Sequence, residues 1–362
     1  MFNESVGFDL RLFVGVEELR VMLERGDVVV LDVRRFDEYV RAHIPGSSWL
    51  YFWDLTLYER GLPSTPKPRD EVARVFGRSG VGDGDYVVLV YDRSSLLYAA
   101  YTAWFLEYVG HEEYSLLKGG FEAWLSAGLP VERGIFKPRE KRLTVKPSSV
   151  RATLDEVVEA VMGRGNLLIL DVRTRDEHVG AIATTHRAGR IPGSIPLDPE
   201  LPLKALNGDA NALERIKSIV GSSENIVLYC TSGERASLAW LVLRRILGVK
   251  NAKLFPEGFL EYSKRENLPV EIGDSKVSGS TREAIRIDKN KLCEEGLANP
   301  LKKILEAINN LEKGGSMVIE LNDADWILTL RKLAESRGFN VKVLGVTEDG
   351  FTRLLLEKTG LR

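Results

Sequence analysis

Much of this chain is written twice. The stretch "VVVLDVRRFDEYVRAHIPGS" at 28–47 returns as "LLILDVRTRDEHVG" and then, after an inserted segment, as "RIPGS" ending at Ser194. Likewise "YVVLVYDRSSLLYAAYTAWFLEYVG" matches "NIVLYCTSGERASLAWLVLRRILGV", and "LLKGGFEAWLSAGLPVE" matches "KLFPEGFLEYSKRENLPVE". Such self-similarity requires two copies of one structural unit. Each copy reads as a strand, an acidic turn, a Pro-Gly turn, a second strand, a loop, a long apolar helix, a strand and a Gly-Phe helix. Short β-branched runs followed by apolar-periodic helices predict α/β domains, each a mostly parallel sheet with helices on both faces.

The predicted boundaries are 1–135 for the first domain, 148–272 for the second and 282–362 for a small C-terminal α+β domain of two layers. The charged, Pro-bearing stretch "GIFKPREKRLTVKPSSVRATLDEV" joins the first two, and Thr153 with Glu156 three residues on is a capping-box start for the next helix. "GDSKVSGSTRE" leads into the third segment, which reads strand, helix, strand, helix and two strands.

The chain has 362 residues, 44% of them apolar and 28% charged, enough for real cores. Lys and Arg number 50 against 52 Asp and Glu, a formal charge of -2, so no global basic field draws it to nucleic acid or an anionic membrane. The start of the chain has no basic region leading into an apolar one, and no stretch is long and apolar enough to span a bilayer, so a cytoplasmic protein is expected. Cys230 and Cys293 are too few for a disulfide framework, and with His43, His111, His178 and His186 scattered, no metal site is expected. The absence of glutamine fits the avoidance of thermolabile residues in proteins from hot environments.

In an open α/β sheet, chemistry gathers at the carboxyl ends of strands, where loops meet helix N-termini. Cys230 sits there, after the strand "NIVLY" and before the helix "ASLAWLVLRRIL". Loop amides and the positive helix end are expected to hold negative charge on sulfur and lower the thiol pKa, so that no separate base is needed. Arg235 adds positive charge at the rim, and Glu234 is assumed to point outward. Most free cysteines are small buried hydrophobes, but the polar Gly-containing loop and the helix start favour function here.

The tandem "LDVR…IPGS" blocks and the Cys-x4-Arg loop "CTSGER" closely resemble the two-domain rhodaneses, the thiosulfate sulfurtransferases, over roughly residues 10 to 272. That family keeps its cysteine in the second repeat, and Asp92 in "VYDRSSLLY" is read as the counterpart of Cys230 in a silent first repeat. The resemblance implies double displacement without a cofactor. Thiolate Cys230 takes the outer sulfur of thiosulfate, releases sulfite, and passes the persulfide to cyanide, a thiol or a sulfur-relay protein partner. The backbone amides of Thr231, Ser232, Gly233, Glu234 and Arg235 would cradle the persulfide. The Glu-Arg ending favours thiosulfate over mercaptopyruvate, whose enzymes place small neutral residues there.

Asp32 and Arg34 recur as Asp171 and Arg173, and a pattern shared with a copy lacking the cysteine reads as structural. About eight extra residues precede the second Pro-Gly turn and bring His186, Arg187 and Arg190. Arg187 is the expected grip on the donor's anionic end, because a planar guanidinium matches an oxyanion. Arg190 stands where the first copy has His43 and fills a turn, and His186 reads as solvated. The third segment resembles, more faintly, small sulfur-carrier proteins with a Cys-Pro-x-Pro helix start. Pro300 and its distance to Gly314 fit, but Leu297 and Ala298 occupy the Cys-Pro positions and Cys293 lies a turn too early. A domain that packs on the repeats or recruits a partner is expected there, not a carrier. Two other functions compete: phosphatase or arsenate-reductase chemistry, which needs a loop one residue longer, and a relay scaffold that does not turn over.

Overall fold

The computed structural model describes residues 12–59, 62–164, 166–273, 284–288, 316–322, 324–347 and 350–358. Among them, those within Met1–Arg173 and Ile195–Tyr262 form one compact unit, and those within Thr174–Ser194 and Ser263–Arg362 a second. The two repeats thus share a unit, while the inserted stretch of the second repeat groups with the C-terminal segment. No helix among the described residues is long and apolar enough to cross a membrane.

The first repeat runs β1 (Phe13–Val14), α1 (Val16–Arg25), β2 (Val29–Asp32), α2 (Phe36–Arg41), β3 (Ser48–Trp49), a hairpin of β4 (Thr56–Glu59) and β5 (Leu62–Pro66), α3 (Arg69–Arg78), β6 (Val87–Val90), α4 (Leu96–Tyr108), β7 (Tyr114–Leu117) and α5 (Gly120–Ser126). Its five-stranded sheet is parallel in the order β1-β7-β6-β2-β3. The second repeat runs α6 (Leu154–Val161), β8 (Leu168–Asp171), α7 (Arg175–His178), β9 (Ile195–Pro196), α8 (Glu200–Leu206), α9 (Ala210–Val220), β10 (Asn225–Tyr229), α10 (Glu234–Leu241), β11 (Asn251–Leu254) and α11 (Gly258–Lys264). Its sheet is parallel in the order β11-β10-β8-β9. In the C-terminal segment β12 (Ala284–Ile287), β13 (Ser316–Leu321), α12 (Ala324–Glu335), β14 (Phe339–Val346) and β15 (Thr352–Lys358) give a mixed sheet ordered β12-β13-β15-β14.

The central strands are apolar runs because helices cover both faces: Val87–Val90 and Ile226–Tyr229 are wholly buried. Thr153 and Glu156 form the expected capping box on α6. The linker is held to the first repeat, where the Lys141 amide donates to Gly77 O at 3.0 Å and Thr144 N to Asp83 Oδ1 at 2.8 Å. The recurring Asp-Arg pairs are structural, as read from sequence. Arg34 forks onto Asp32 and lies 3.6 Å over the Phe121 ring; Arg173 grips Asp171 at 2.7 Å and lies 4.1 Å over Phe259.

Helix α4 is buried continuously from Ala99 to Tyr108 because one hydrophobic core runs through both repeats, taking in Tyr101, Trp104 and Phe105 of α4 together with Ala236, Trp240 and Leu243 of the second repeat. The indole N–H of Trp104 crosses to Val150 O at 3.2 Å. At Val242–Ile246 α10 widens into a π-helical turn that carries Arg244 and Arg245. Arg244 Nε donates to Glu107 Oε2 at 2.7 Å, Arg245 lies 3.7 Å from Glu107 Oε1, and the Tyr114 hydroxyl donates to the same carboxylate at 2.8 Å. Glu107 is 2% exposed. Breaking such a pair from one side leaves buried cations uncompensated, so Glu107→Ala should lower the unfolding free energy by roughly 3–5 kcal/mol in urea titrations. A loss below about 1 kcal/mol, the range of exposed pairs, contradicts this reading.

Candidate active site

Cys230 follows β10 directly and is buried, with the loop leading into α10 at Glu234. Gly233, at φ +98, turns its amide onto Cys230 Sγ at 3.2 Å. The loop's carbonyls face away from that amide because the start of α11 binds them: Phe259 N donates to Cys230 O at 2.8 Å and Leu260 N to Thr231 O at 3.0 Å. Only glycine fits at 258. A Cβ there would lie 2.4 Å from Cys230 O and 2.6 Å from Thr231 O, at a φ of +56. The Gly-Phe signature seen in both repeats is therefore a clamp on the loop that follows the strand, a role its sequence position alone did not reveal.

Two electrostatic expectations are overturned. Glu234 does not point outward; it is half-buried and folds back to accept from Ser232 Oγ at 2.8 Å. Burial pushes its carboxyl above the ordinary range, against its own amide, Ser232 and Arg235. The Cys230 thiol is likewise raised, not lowered: burial pushes it up and the Glu234 charge adds to this, while Arg235 and the Ala236 and Ser232 amides pull the other way. The loop supplies donors, but the desolvation of a fully enclosed sulfur outweighs them. Arg235 is half-buried and donates through Nη2 to Thr231 Oγ1 at 2.7 Å.

The strand register corrects the assignment of Asp92. Asp32 pairs with Val90 and Asp171 with Tyr229, so the residue after the strand is Tyr91 in the first repeat and Cys230 in the second. The clamp agrees, since Phe121 N donates to Tyr91 O at 2.8 Å as Phe259 N does to Cys230 O. Tyr91 therefore replaces the cysteine, and Asp92 matches Thr231. The Asp92 carboxylate instead fills its own loop, with Oδ1 accepting from Ser94 N and Ser95 N at 2.8 Å and from both serine hydroxyls. Burial works to raise the Asp92 carboxyl, but hydrogen bonds from Ser94, Glu38 and Ser95 outweigh it and hold the group below the usual range.

Arg187 also has another task. Its Nε donates to Ser263 O at 2.9 Å, Nη1 to Leu268 O at 2.8 Å and Nη2 to Arg265 O at 2.8 Å, so the planar fork expected to meet an oxyanion ties the inserted segment to the chain after α11. Arg190 fills its turn as read, paired with Glu271 at 2.6 Å, and bridges Glu271 as His43 bridges Glu132 in the first repeat. His186 is exposed. Cys293, Leu297, Ala298, Pro300 and Gly314 lie outside the described residues. No cluster of His, Cys, Asp and Glu able to hold a metal occurs among the described residues. Sequence reasoning missed Tyr101, which packs against Gly233 from α4, and the ion pair of Arg151 with Glu257 behind the loop.

A family model for the rhodanese-like domain matches residues 15–127 and again 153–265. The chain belongs to the rhodanese-like family. It is 30% identical over 296 residues to the sulfur carrier protein TtuD of Thermus thermophilus, covering 73% of this chain and 97% of that one. It is 32% identical over 252 residues to a putative thiosulfate sulfurtransferase of Saccharopolyspora erythraea, covering 64% and 86%. Among solved structures, YnjE superposes with a TM-score of 0.61 at 20% identity, over 73% of this chain and 68% of that one, and wild-type EanB with 0.62 at 20%, over 73% and 69%. Both are likenesses of fold.

Because the Glu234 charge opposes ionisation of Cys230, neutralising it must ease thiolate formation. In Glu234→Gln, iodoacetamide should alkylate the Cys230 peptide about three- to tenfold faster at neutral pH, with the rate profile moved to lower pH. An unchanged or slower rate shows that the Glu234 charge does not bear on the sulfur.

Proposed function

We propose that this protein is a sulfurtransferase that moves the sulfane sulfur of thiosulfate through a persulfide on Cys230 to cyanide or a thiol acceptor. The observation that carries the reading is the Gly233 amide aimed at Cys230 Sγ at the carboxyl end of β10, in a loop whose outer carbonyls are already bonded to α11. After the thiol proton is lost to solvent, Sγ attacks the outer sulfur of thiosulfate; the sulfur–sulfur bond breaks and sulfite leaves with its electron pair. The terminal sulfur of the persulfide carries the negative charge, and the amides of Gly233, Ser232 and Ala236, with Arg235, would stabilise it. The acceptor then attacks that sulfur, and the Cys230 thiolate is restored.

The relative named a thiosulfate sulfurtransferase supports this donor, and "CTSGER" supports it over mercaptopyruvate. With Arg187 engaged by carbonyls, the grip on the donor's sulfite end falls to Arg235 and the loop amides. The Thermus relative named a sulfur carrier favours a second reading, in which a partner protein is the natural acceptor of the same persulfide. On either reading the first repeat transfers no sulfur itself, and residues 282–362 form a non-carrier domain.

Turnover of thiosulfate and cyanide should follow double-displacement kinetics, with parallel double-reciprocal lines, and Cys230→Ser should lose at least about a thousandfold in kcat. The kcat/KM for thiosulfate should exceed that for mercaptopyruvate. Turnover retained in Cys230→Ser would overturn the mechanism; a better kcat/KM with mercaptopyruvate would overturn the donor.

A further inference from the structure

Tyr101, on α4 of the repeat without the cysteine, is 1% exposed, its ring packed against Phe105, Phe52 and Trp104 at centroid distances of 4.9, 5.2 and 5.5 Å. Its hydroxyl reaches the active loop. A Cβ built on Gly233 would lie 2.5 Å from Tyr101 Oη and 2.7 Å from Cζ, and 3.0 Å from Pro256 O. The α-carbon of Gly233 is thus enclosed by a side chain of one repeat and the backbone of the other, at the residue whose amide points at the sulfur.

We propose that Tyr101 is a positioning residue of the Cys230 loop: its hydroxyl holds Gly233 in the positive-φ conformation that aims the amide at Sγ. The inference rests on the reading of this loop as a persulfide cradle, and it makes the first repeat part of the catalytic unit although it carries no nucleophile. The charged groups around the pair are Glu234 and Arg235 on the loop and α10, with Glu257 and Arg151 beside Tyr101. Burial, then the charges of Glu234, Glu257 and Cys230, push the phenol well above its ordinary range, and the hydroxyl acts as a dipole and a wedge. Phenylalanine at 101 keeps the ring packing and removes only the oxygen. Gly233 then has room to move, its amide leaves the sulfur, and a more apolar wall faces the thiolate.

The test is the pH dependence of iodoacetamide alkylation at the Cys230 peptide, read in Tyr101→Phe and in Phe105→Leu, which disturbs the same packing without touching the hydroxyl. Tyr101→Phe should alkylate about threefold or more slowly at neutral pH, with its profile moved to higher pH. Phe105→Leu should keep the wild-type profile even where its unfolding midpoint falls. A Tyr101→Phe profile that is unchanged or moved to lower pH, or an equal shift in Phe105→Leu, overturns the proposal. The readout needs no sulfur donor: failure of wild-type protein to turn over thiosulfate defeats the proposed function, while the alkylation profile still decides the role of Tyr101.

Discussion

The bonds from the Phe259 and Leu260 amides to the carbonyls of Cys230 and Thr231 are the constraint on which the site depends. A backbone loop presents donors inward only if its acceptors are satisfied elsewhere. The clamp needs a close approach that forbids any side chain at Gly258, and it needs Phe259 held in place, which Arg173 achieves by lying over the ring while gripping Asp171. Asp171 in turn accepts from the Tyr229 hydroxyl at 2.8 Å, on the residue before the cysteine. The pair that looked merely structural in sequence thereby braces both ends of the clamp, the strand end and the α11 start.

Both repeats build the same frame and fill it differently. In the first, the amides of Ser94 and Ser95 converge on the Asp92 carboxylate, an anion supplied by the chain itself. In the second, the loop amide meets a sulfur that acquires its charge only on ionisation. The enclosed thiol is reluctant to ionise, and Glu234 adds to that reluctance. Under the proposed function, the charge this loop meets is delivered in the reaction, on the terminal sulfur of the persulfide. The first repeat meanwhile supplies the wall of α4, whose continuous burial follows from the core shared by both repeats.

The parallel sheets, the tandem order, the capping box at Thr153 and the placement of Cys230 were legible because each rests on local pattern. What was not legible depended on register or on distant contacts. Asp92 reads as the cysteine's counterpart because both are polar breaks after an apolar strand; only the pairing of Asp32 with Val90 and of Asp171 with Tyr229 shows that Tyr91 holds the place. Glu234 folds back on Ser232, and Arg187 meets three carbonyls 76 to 81 residues away; no spacing rule encodes either. Tyr101 sits in an apolar run that reads as core, and core it is, apart from one oxygen that packs against a glycine of the other repeat.

The central claim, that this loop exists to hold sulfur on Cys230, is tested most directly by intact-mass and peptide analysis of the protein after brief exposure to thiosulfate and then cyanide. The account predicts the gain of one sulfur atom, located on the Cys230 peptide, and its loss to cyanide with the thiol restored. Sulfur found on the Cys293 peptide instead, or no adduct at all on Cys230, would contradict it.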